Sequence, residues 1–190
     1  PVLGVIIVFY ISFQTYYYFR IQDLKKDSIN FFKSIDGNEE ALKNLINNKD
    51  NKNIFSTLSI LKIIQNNNEL KNYNKYNDLY KELIFSSNLD NLYKSSIAVH
   101  ASFTLINASY IENTNNYIKD IKSYIDSINA DLENYQSIKK ELEYLLLVTE
   151  IDLNKSNYKN NKEVLKLYND INNSNLISSS IKERVKKIHE

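Results

Sequence analysis

The sequence predicts an all-α protein in which an N-terminal transmembrane helix precedes a row of stacked helix pairs. Three observations lead to this prediction. The chain of 190 residues opens with a long uncharged stretch, contains only two glycines and one proline, and afterwards repeats apolar residues at helical spacing. Glycine and proline supply most of the chemistry of tight turns and β-hairpins, whereas polar segments between apolar runs can cap helices. The composition therefore favours helices joined by short polar breaks.

The first element is the uncharged stretch from Val2 to Phe19. At about 1.5 Å per residue it spans roughly 27 Å as a helix, which is close to the hydrocarbon thickness of a bilayer. Apolar residues of this kind each favour insertion by about 0.3 to 0.6 kcal/mol. We expect nine residues to form the membrane anchor: Val2, Leu3, Val5, Ile6, Ile7, Val8, Phe9, Ile11 and Phe13.

An aromatic cluster closes this stretch. Tyr16, Tyr17, Tyr18 and Phe19 directly precede Arg20, as expected where a helix leaves the hydrocarbon and meets lipid headgroups. A cleaved signal would need small residues near this end, and the residues here are bulky. A buried helix of a soluble protein usually shows a polar stripe, which the first eleven residues lack. We therefore predict a retained anchor, with signal and buried helix as the alternatives.

The anchor is predicted to occupy residues 1–20 and a helical domain residues 21–190. Within this domain, Tyr76, Leu79 and Tyr80 begin a stripe with i, i+3, i+4 spacing, which is typical of an amphipathic helix. Similar stripes recur along the chain. They predict antiparallel helix pairs near 27–48, 54–86, 91–130 and 135–172, with a closing helix over 175–189. One hairpin cannot bury its apolar face alone, so we expect the pairs to stack as an α-solenoid.

The anchor and the hairpins together resemble the tetratricopeptide-repeat family of bacterial single-pass membrane proteins that includes the ancillary subunit of the SecYEG translocon. The segments that carry the resemblance are "GNEEAL" at Gly37–Leu42, "NYNKYNDLYKEL" at Asn72–Leu83, "KELEYLLLVTEIDLNKSNY" at Lys140–Tyr158 and "SSSIKERVKKI" at Ser178–Ile188. The repeats are divergent, since Tyr76 and Ile64 stand where the family has small residues and only Ala41 keeps one.

The resemblance implies a protein of the bacterial inner membrane whose helical domain faces the periplasm. There it would contact the protein-export translocon, chaperones or unfolded polypeptides, and it would not be an enzyme. The chain has three basic residues just after the span: Arg20, Lys25 and Lys26. They favour instead a cytoplasmic domain, which would scaffold other proteins. Residues preceding Pro1 would decide the orientation. A structural helical protein without peptide-binding activity is a further alternative.

The charge pattern and the missing motifs exclude several functional classes. The 24 basic and 23 acidic residues alternate along the chain, so no stripe for nucleic acid is expected. Cysteine is absent, which removes disulfides and thiol catalysis. His100 and His189 are the two histidines, and neither has neighbours at metal-ligand spacing. We expect no catalytic residues, no cofactor, no metal and no small-molecule substrate.

One helix carries a candidate surface for a partner. We expect a packed stripe formed by Ile97, Ala101, Leu105 and Ala108. On another side of the same helix lies a mixed aromatic and polar row, Ser96, His100, Phe103 and Asn107. First helices of stacked hairpins line the concave face of a solenoid, so this row is our candidate for peptide contact. In the competing interpretation Phe103 packs against a neighbouring hairpin.

Overall fold

The computed structural model describes residues 2–36, 40–41, 44–45, 54–67, 72–86, 89–132 and 135–190, except for the side chains of residues 2–7, 63 and 65–67. Eight α-helices and no β-strand occur in this described part, which confirms the all-α prediction. The chain divides into two compact units, Pro1–Leu70 and Lys71–Glu190.

The first unit contains two described helices, α1 (Val2–Ile35) and α2 (Ile54–Asn67). They pack through the rings of Phe31 and Phe55, whose centroids lie 6.0 Å apart. The ammonium group of Lys62 donates a hydrogen bond of 3.0 Å to the carbonyl oxygen of Ser34. The second half of the predicted pair 27–48 lies largely outside the described residues.

The second unit contains the other six helices. They are α3 (Tyr73–Lys81), α4 (Asn91–Glu112), α5 (Ile118–Ser127), α6 (Tyr135–Leu153), α7 (Lys162–Asn173) and α8 (Ser179–His189). One π-helical turn, Glu82–Ser86, continues α3, and a 3₁₀ turn, Tyr158–Asn160, precedes α7.

Polar residues in the breaks begin several of these helices. The side chains of Asn72, Asp90 and Asn161 accept hydrogen bonds from backbone N–H groups in the first turns of α3, α4 and α7. Such caps satisfy donors that a helix start leaves without an internal partner. At the other end of α4, Asn113 adopts a left-handed conformation with φ of 48° and stops the helix.

Contacts in the second unit join successive helices and also alternate ones. Helix α4 packs on α3, α5 and α6, while α6 packs on α5, α7 and α8. Near their starts, α4 and α6 are joined by a hydrogen bond between the hydroxyls of Ser96 and Tyr135. Near their ends, the Tyr110 hydroxyl faces Thr149 and Asp152. The two helices therefore run in the same direction.

The core of the second unit lies between these helices. Around α3, α4 and α5 the fully buried side chains include Tyr76, Tyr80, Leu83, Leu105, Ile121 and Tyr124. Around α6, α7 and α8 a second cluster consists of Tyr144, Val148, Val164, Ile171, Ile177, Ile181 and Val185. Tyrosine thus serves as a core residue, with its hydroxyl satisfied by a polar neighbour.

The observed helices coincide with much of the predicted arrangement. Helices α4 and α5 occupy the predicted pair 91–130, α6 and α7 the pair 135–172, and α8 the closing segment 175–189. The predicted pair 54–86 is divided between the two units, because α2 packs on α1 whereas α3 packs on α4. The predicted boundary at residue 20 lies inside α1, which passes through it as one continuous helix.

Candidate functional site: exposed faces of α1 and α4

Apolar and aromatic side chains on the first half of α1 are exposed. From Val8 to Phe19 the large apolar residues expose 55–73 % of their surface. Those concerned are Val8, Phe9, Tyr10, Ile11, Phe13, Tyr16, Tyr17, Tyr18 and Phe19. This segment therefore buries little apolar surface within its own unit, although apolar burial is the main source of folding stability.

Contacts on this segment run mostly along the helix. The rings of Phe13 and Tyr17 stack at 6.5 Å, and Arg20 donates a hydrogen bond of 3.3 Å to the Tyr16 hydroxyl. The side chains of Arg20 and of the four aromatic residues before it are thus all exposed, as the sequence pattern indicates.

The predicted anchor residues are only partly within the described side chains. The described side chains do not include five of these residues, although the backbone there is helical: Val2, Leu3, Val5, Ile6 and Ile7. None of the helices in the described part of the chain combines the length and the apolar character that a membrane crossing needs. A transmembrane role for Val2–Phe19 therefore stays a prediction.

Helix α4 has the two sides that its sequence pattern predicts. The packed stripe of Ile97, Ala101, Leu105 and Ala108 is buried, with at most 3 % of each residue exposed. By contrast, Ser96, His100, Phe103 and Asn107 are all exposed. Phe103 exposes 38 % of its surface, so its ring is partly packed and partly open to solvent.

Two members of the exposed row are held by neighbouring helices. His100 Nδ1 lies 2.7 Å from the hydroxyl of Tyr80 on α3, and that hydroxyl also donates to Thr104 at 3.4 Å. Ser96 is hydrogen-bonded to Tyr135 on α6. These contacts limit the rotamers of Ser96 and His100, and a binding surface gains affinity when its side chains are already ordered.

Burial controls the protonation of the Tyr80–His100 pair. Although His100 as a whole is exposed, its Nδ1 contact with Tyr80 is partly buried, and this burial lowers the pKa of His100 below its usual value because the protonated ring loses hydration. Burial also raises the pKa of Tyr80 to about 12, an effect that the hydrogen bond with Thr104 partly opposes. At neutral pH both groups are therefore uncharged, and the row Ser96–Asn107 carries no charge.

The structure extends the row with tyrosines that the sequence interpretation missed. Tyr93 and Tyr110 are exposed on the same side of α4, at three residues before Ser96 and three after Asn107. Tyr135 joins them from α6 through its bond to Ser96. Tyr93 and Tyr110 continue the alternating three- and four-residue spacing, so the signal was present in the sequence. We call Tyr93, Ser96, His100, Phe103, Asn107 and Tyr110 the α4 row.

A small cleft lies beside the start of α6. It has a volume of about 220 Å³ and is lined by Gln136, Lys140, Asp170, Ile171, Ser174 and Ile177. Lys140 is also paired with Glu143 at 2.7 Å. Two isoleucines and four polar residues line it, among them one cation and one anion, so the cleft offers no strong charge preference.

The second histidine has a packing role. His189 stacks on Tyr168 with ring centroids 4.1 Å apart, and its Nδ1 lies 3.0 Å from the hydroxyl of Tyr144. Among the described residues, no group of three or more His, Cys, Asp or Glu side chains is arranged to hold a metal ion. The candidate surfaces are two separate exposed helix faces, that of α1 in the first unit and that of α4 in the second.

Comparisons with protein-family models, with curated proteins and with solved structures found no match for this chain. The resemblance to tetratricopeptide-repeat membrane proteins accordingly stays a prediction from the residue pattern.

Proposed function

We propose that this protein is a membrane-anchored module for protein–protein interaction. Its anchor is Val2–Phe19, and its partner-binding domain is the helical second unit. The observation that carries the proposal is the exposure of the aromatic and apolar side chains from Val8 to Phe19. Together with the uncharged residues before Val8, this segment reaches the length of one bilayer crossing. Lipid would cover the side chains that the first unit leaves open.

The second unit supplies the proposed interaction domain by stacking its helix pairs. Helices α4 and α6 run in the same direction and contact each other. Helix α6 in turn packs on α8, so the three helices lie side by side in the order α4, α6, α8. Ser137 on α6 donates a hydrogen bond to the carbonyl oxygen of Leu176, and Glu141 pairs with Arg184 further along both segments. First helices that lie side by side support the proposal of a tetratricopeptide-like solenoid, in which successive helix pairs stack on one another.

The α4 row is the proposed contact surface for an extended polypeptide. It spans 18 residues from Tyr93 to Tyr110, or about 26 Å of helix, which matches roughly eight residues of an extended chain. Aromatic rings and hydrogen-bonding side chains are interspersed along it. Rings supply buried area at small entropic cost, while the polar groups pair with peptide groups of the bound segment.

We propose that the interaction domain lies on the periplasmic side of a bacterial inner membrane. Our more specific proposal is that it has an ancillary role at the protein-export translocon or with chaperones. Support for this side and role comes from the family resemblance. The alternative is a cytoplasmic scaffold, favoured by exposed Arg20, Lys25 and Lys26 directly after the span.

Carbonate extraction of membranes that contain the full chain tests the anchor. The chain should stay in the membrane pellet, whereas the variant Val8→Arg/Ile11→Arg should be released, since each arginine at the centre of a span costs about 2.5 to 3.5 kcal/mol. Release of the unmodified chain would remove the anchor from the proposal. Protease added to intact spheroplasts then distinguishes the two orientations, because only a periplasmic domain is digested.

Binding of an unfolded polypeptide tests the α4 row. A suitable probe is reduced, carboxymethylated α-lactalbumin carrying a fluorophore, with anisotropy as the measurement. Phe103→Ala/Tyr110→Ala should weaken binding at least about tenfold, since truncating each aromatic anchor costs about 1 to 2 kcal/mol and about 1.4 kcal/mol corresponds to a factor of ten. Leu165→Ala, an exposed leucine on α7, is the matched control and should leave binding unchanged. Equal binding by all three proteins would remove the α4 row as the contact surface.

A further inference from the structure

One amide side chain lies inside the proposed span without a partner. Gln14 is exposed, and its amide has no hydrogen-bond partner among the described residues. The next residue differs, because the Thr15 hydroxyl donates to the carbonyl oxygen of Ile11 at 2.8 Å and is thus satisfied within its own helix. A glutamine amide carries two N–H donors and one carbonyl acceptor, and lipid tails offer a partner to none of them.

The depth of Gln14 keeps its amide away from water. The span Val2–Phe19 is centred between Tyr10 and Ile11, so Gln14 lies about 5 Å from the centre and about 9 Å before Arg20 along the axis. The Cα–Cβ bonds of a helix tilt toward its N-terminus, which directs the Gln14 side chain toward the centre of the span. The amide therefore points away from the nearer interface, at Arg20, and stays within the hydrocarbon.

Two tyrosines lie on the same face of α1 as Gln14. Tyr10 precedes it by four residues and Tyr17 follows it by three, and both are exposed, at 64 % and 55 %. Steps of four and three residues place side chains along the seam of a left-handed helix pair. We call Tyr10, Gln14 and Tyr17 the Gln14 face.

We infer, on the basis of the proposed anchor, that the Gln14 face of one chain contacts the same face of a second copy in the membrane. An amide both donates and accepts, so two glutamines opposite each other form reciprocal N–H···O bonds. Copies inserted in the same orientation hold Gln14 at the same depth, which this pairing requires. A polar residue of a different protein would satisfy the amide only if it lay at a matching depth. The resulting contact is two-fold symmetric, as in most homodimers.

Charge limits this contact to the span. Ile21 and Leu24 continue the spacing of the Gln14 face beyond the lipid, but Arg20 and Lys25 flank them. In a parallel pair these two flanking positions face each other across the seam, and like charges there disfavour contact. The Gln14 face is therefore the part of α1 that carries the association.

Energy transfer between labelled copies in phosphatidylcholine vesicles tests the pairing. The chain has no natural cysteine, so Lys187→Cys, at an exposed position on α8, takes a donor dye in one sample and an acceptor dye in another. Flotation of the vesicles in a density gradient first shows whether the chain is in the membrane. We expect energy transfer that saturates as the protein-to-lipid ratio rises and that falls when unlabelled chain is added.

Variants of Gln14 show whether its amide drives the association. Gln14→Leu should weaken association about five- to thirtyfold, because it removes the hydrogen bonds between helices while leaving the span more apolar. Gln14→Asn keeps an amide and should retain most of the association. Thr15→Val is the matched control, since it also replaces a polar side chain of the span but removes a hydroxyl that its own helix satisfies. It should leave association unchanged. Equal association of Gln14→Leu and the unmodified chain would overturn the inference.

Disulfide crosslinking identifies the face in contact. Tyr10→Cys and Tyr17→Cys, each introduced as the single cysteine, should form linked dimers on oxidation, because both positions lie on the seam. Ser12→Cys and Phe19→Cys, on the opposite side of the helix, should not. Equal crosslinking at all four positions would indicate random collision and would count against the inference.

Failure of the anchor gives a different result from failure of the pairing. A chain that does not float with the vesicles removes the anchor from the proposed function and the inference with it. A chain that floats but shows no energy transfer is anchored as a monomer. That outcome overturns the inference alone and leaves the proposed function intact.

Discussion

Arg184 on α8 holds the carboxylate of Glu141 on α6 with two hydrogen bonds. Nε of Arg184 lies 2.6 Å from Oε1 of Glu141, and Nη2 lies 2.7 Å from Oε2. The Glu141 side chain is 3 % exposed, whereas that of Arg184 is 52 % exposed. The hydrogen bonds to Glu141 raise the pKa of Arg184 and outweigh the opposing effect of burial. The pair thus joins the closing helix to the helix on which it packs.

Arg184→Ala should destabilise the second unit by about 2 kcal/mol. Removing one partner leaves a buried carboxylate without its counter-charge, which costs about 3 to 5 kcal/mol in a fully buried pair, and the exposure of Arg184 reduces that value here. Urea denaturation of the full chain measures the change. Lys186→Ala, which affects an exposed pair with Glu190, should stay within about 0.5 kcal/mol. Equal effects of the two variants would contradict the role of the buried pair.

Tyr124→Phe should cost about 1 to 3 kcal/mol. The Tyr124 hydroxyl donates to Oδ1 of Asn77 at 2.5 Å in the buried contact between α3 and α5, so its loss leaves the Asn77 acceptor without this donor. Tyr93→Phe, at an exposed position on α4, is the control and should change stability by less than about 0.5 kcal/mol. Thermal or urea unfolding measures both. A neutral Tyr124→Phe would show that water replaces the hydroxyl.

The stability of the second unit should fall as the pH drops from about 7 to 5. Burial lowers the pKa of His100 in the folded state. Between that pKa and the usual value near 6.5, the unfolded chain binds more protons than the folded one, so lower pH favours unfolding. Below the folded pKa this effect levels off.

His100→Asn should flatten this part of the pH profile, measured as the urea midpoint at several pH values. Asp120 does not interfere in that range. Burial alone would raise its pKa, but hydrogen bonds from Lys81 and Asn77 outweigh burial and hold the pKa below the usual 3.8. The stabilisation of the folded state by ionised Asp120 is complete above about pH 4 and is lost only under more acidic conditions. An unchanged profile in His100→Asn would contradict the assignment.

Truncating one residue on each side of α4 should change the free energy of unfolding by different amounts. Leu105→Ala, at a fully buried position, should cost about 2 to 5 kcal/mol, because it leaves a cavity. Phe103→Ala should cost only about 1 kcal/mol, since part of its ring already faces solvent. Denaturant unfolding of both variants measures the difference. If Phe103→Ala cost as much as Leu105→Ala, the competing interpretation of Phe103 as a core residue would be correct.

Local periodicity was sufficient to predict the helices from Asn91 onward and the two sides of α4. A helix places residues three and four apart on one face, so Ile97, Ala101 and Leu105 could be assigned to the buried stripe from spacing alone. The opposite row followed in the same way, and Tyr93 and Tyr110 belonged to it by the same rule. Whether that row binds a polypeptide is a matter of function, and it stays a proposal.

By itself, then, the sequence determined an all-α chain, the positions of α4 to α8 and an uncharged, aromatic opening segment, because these depend on the order of neighbouring residues. Only the tertiary structure decided that Glu141 meets Arg184, that His100 meets Tyr80, and that α2 and α3 belong to different units. Contacts between residues 20 to 43 positions apart depend on how whole helices pack, which helical spacing does not encode.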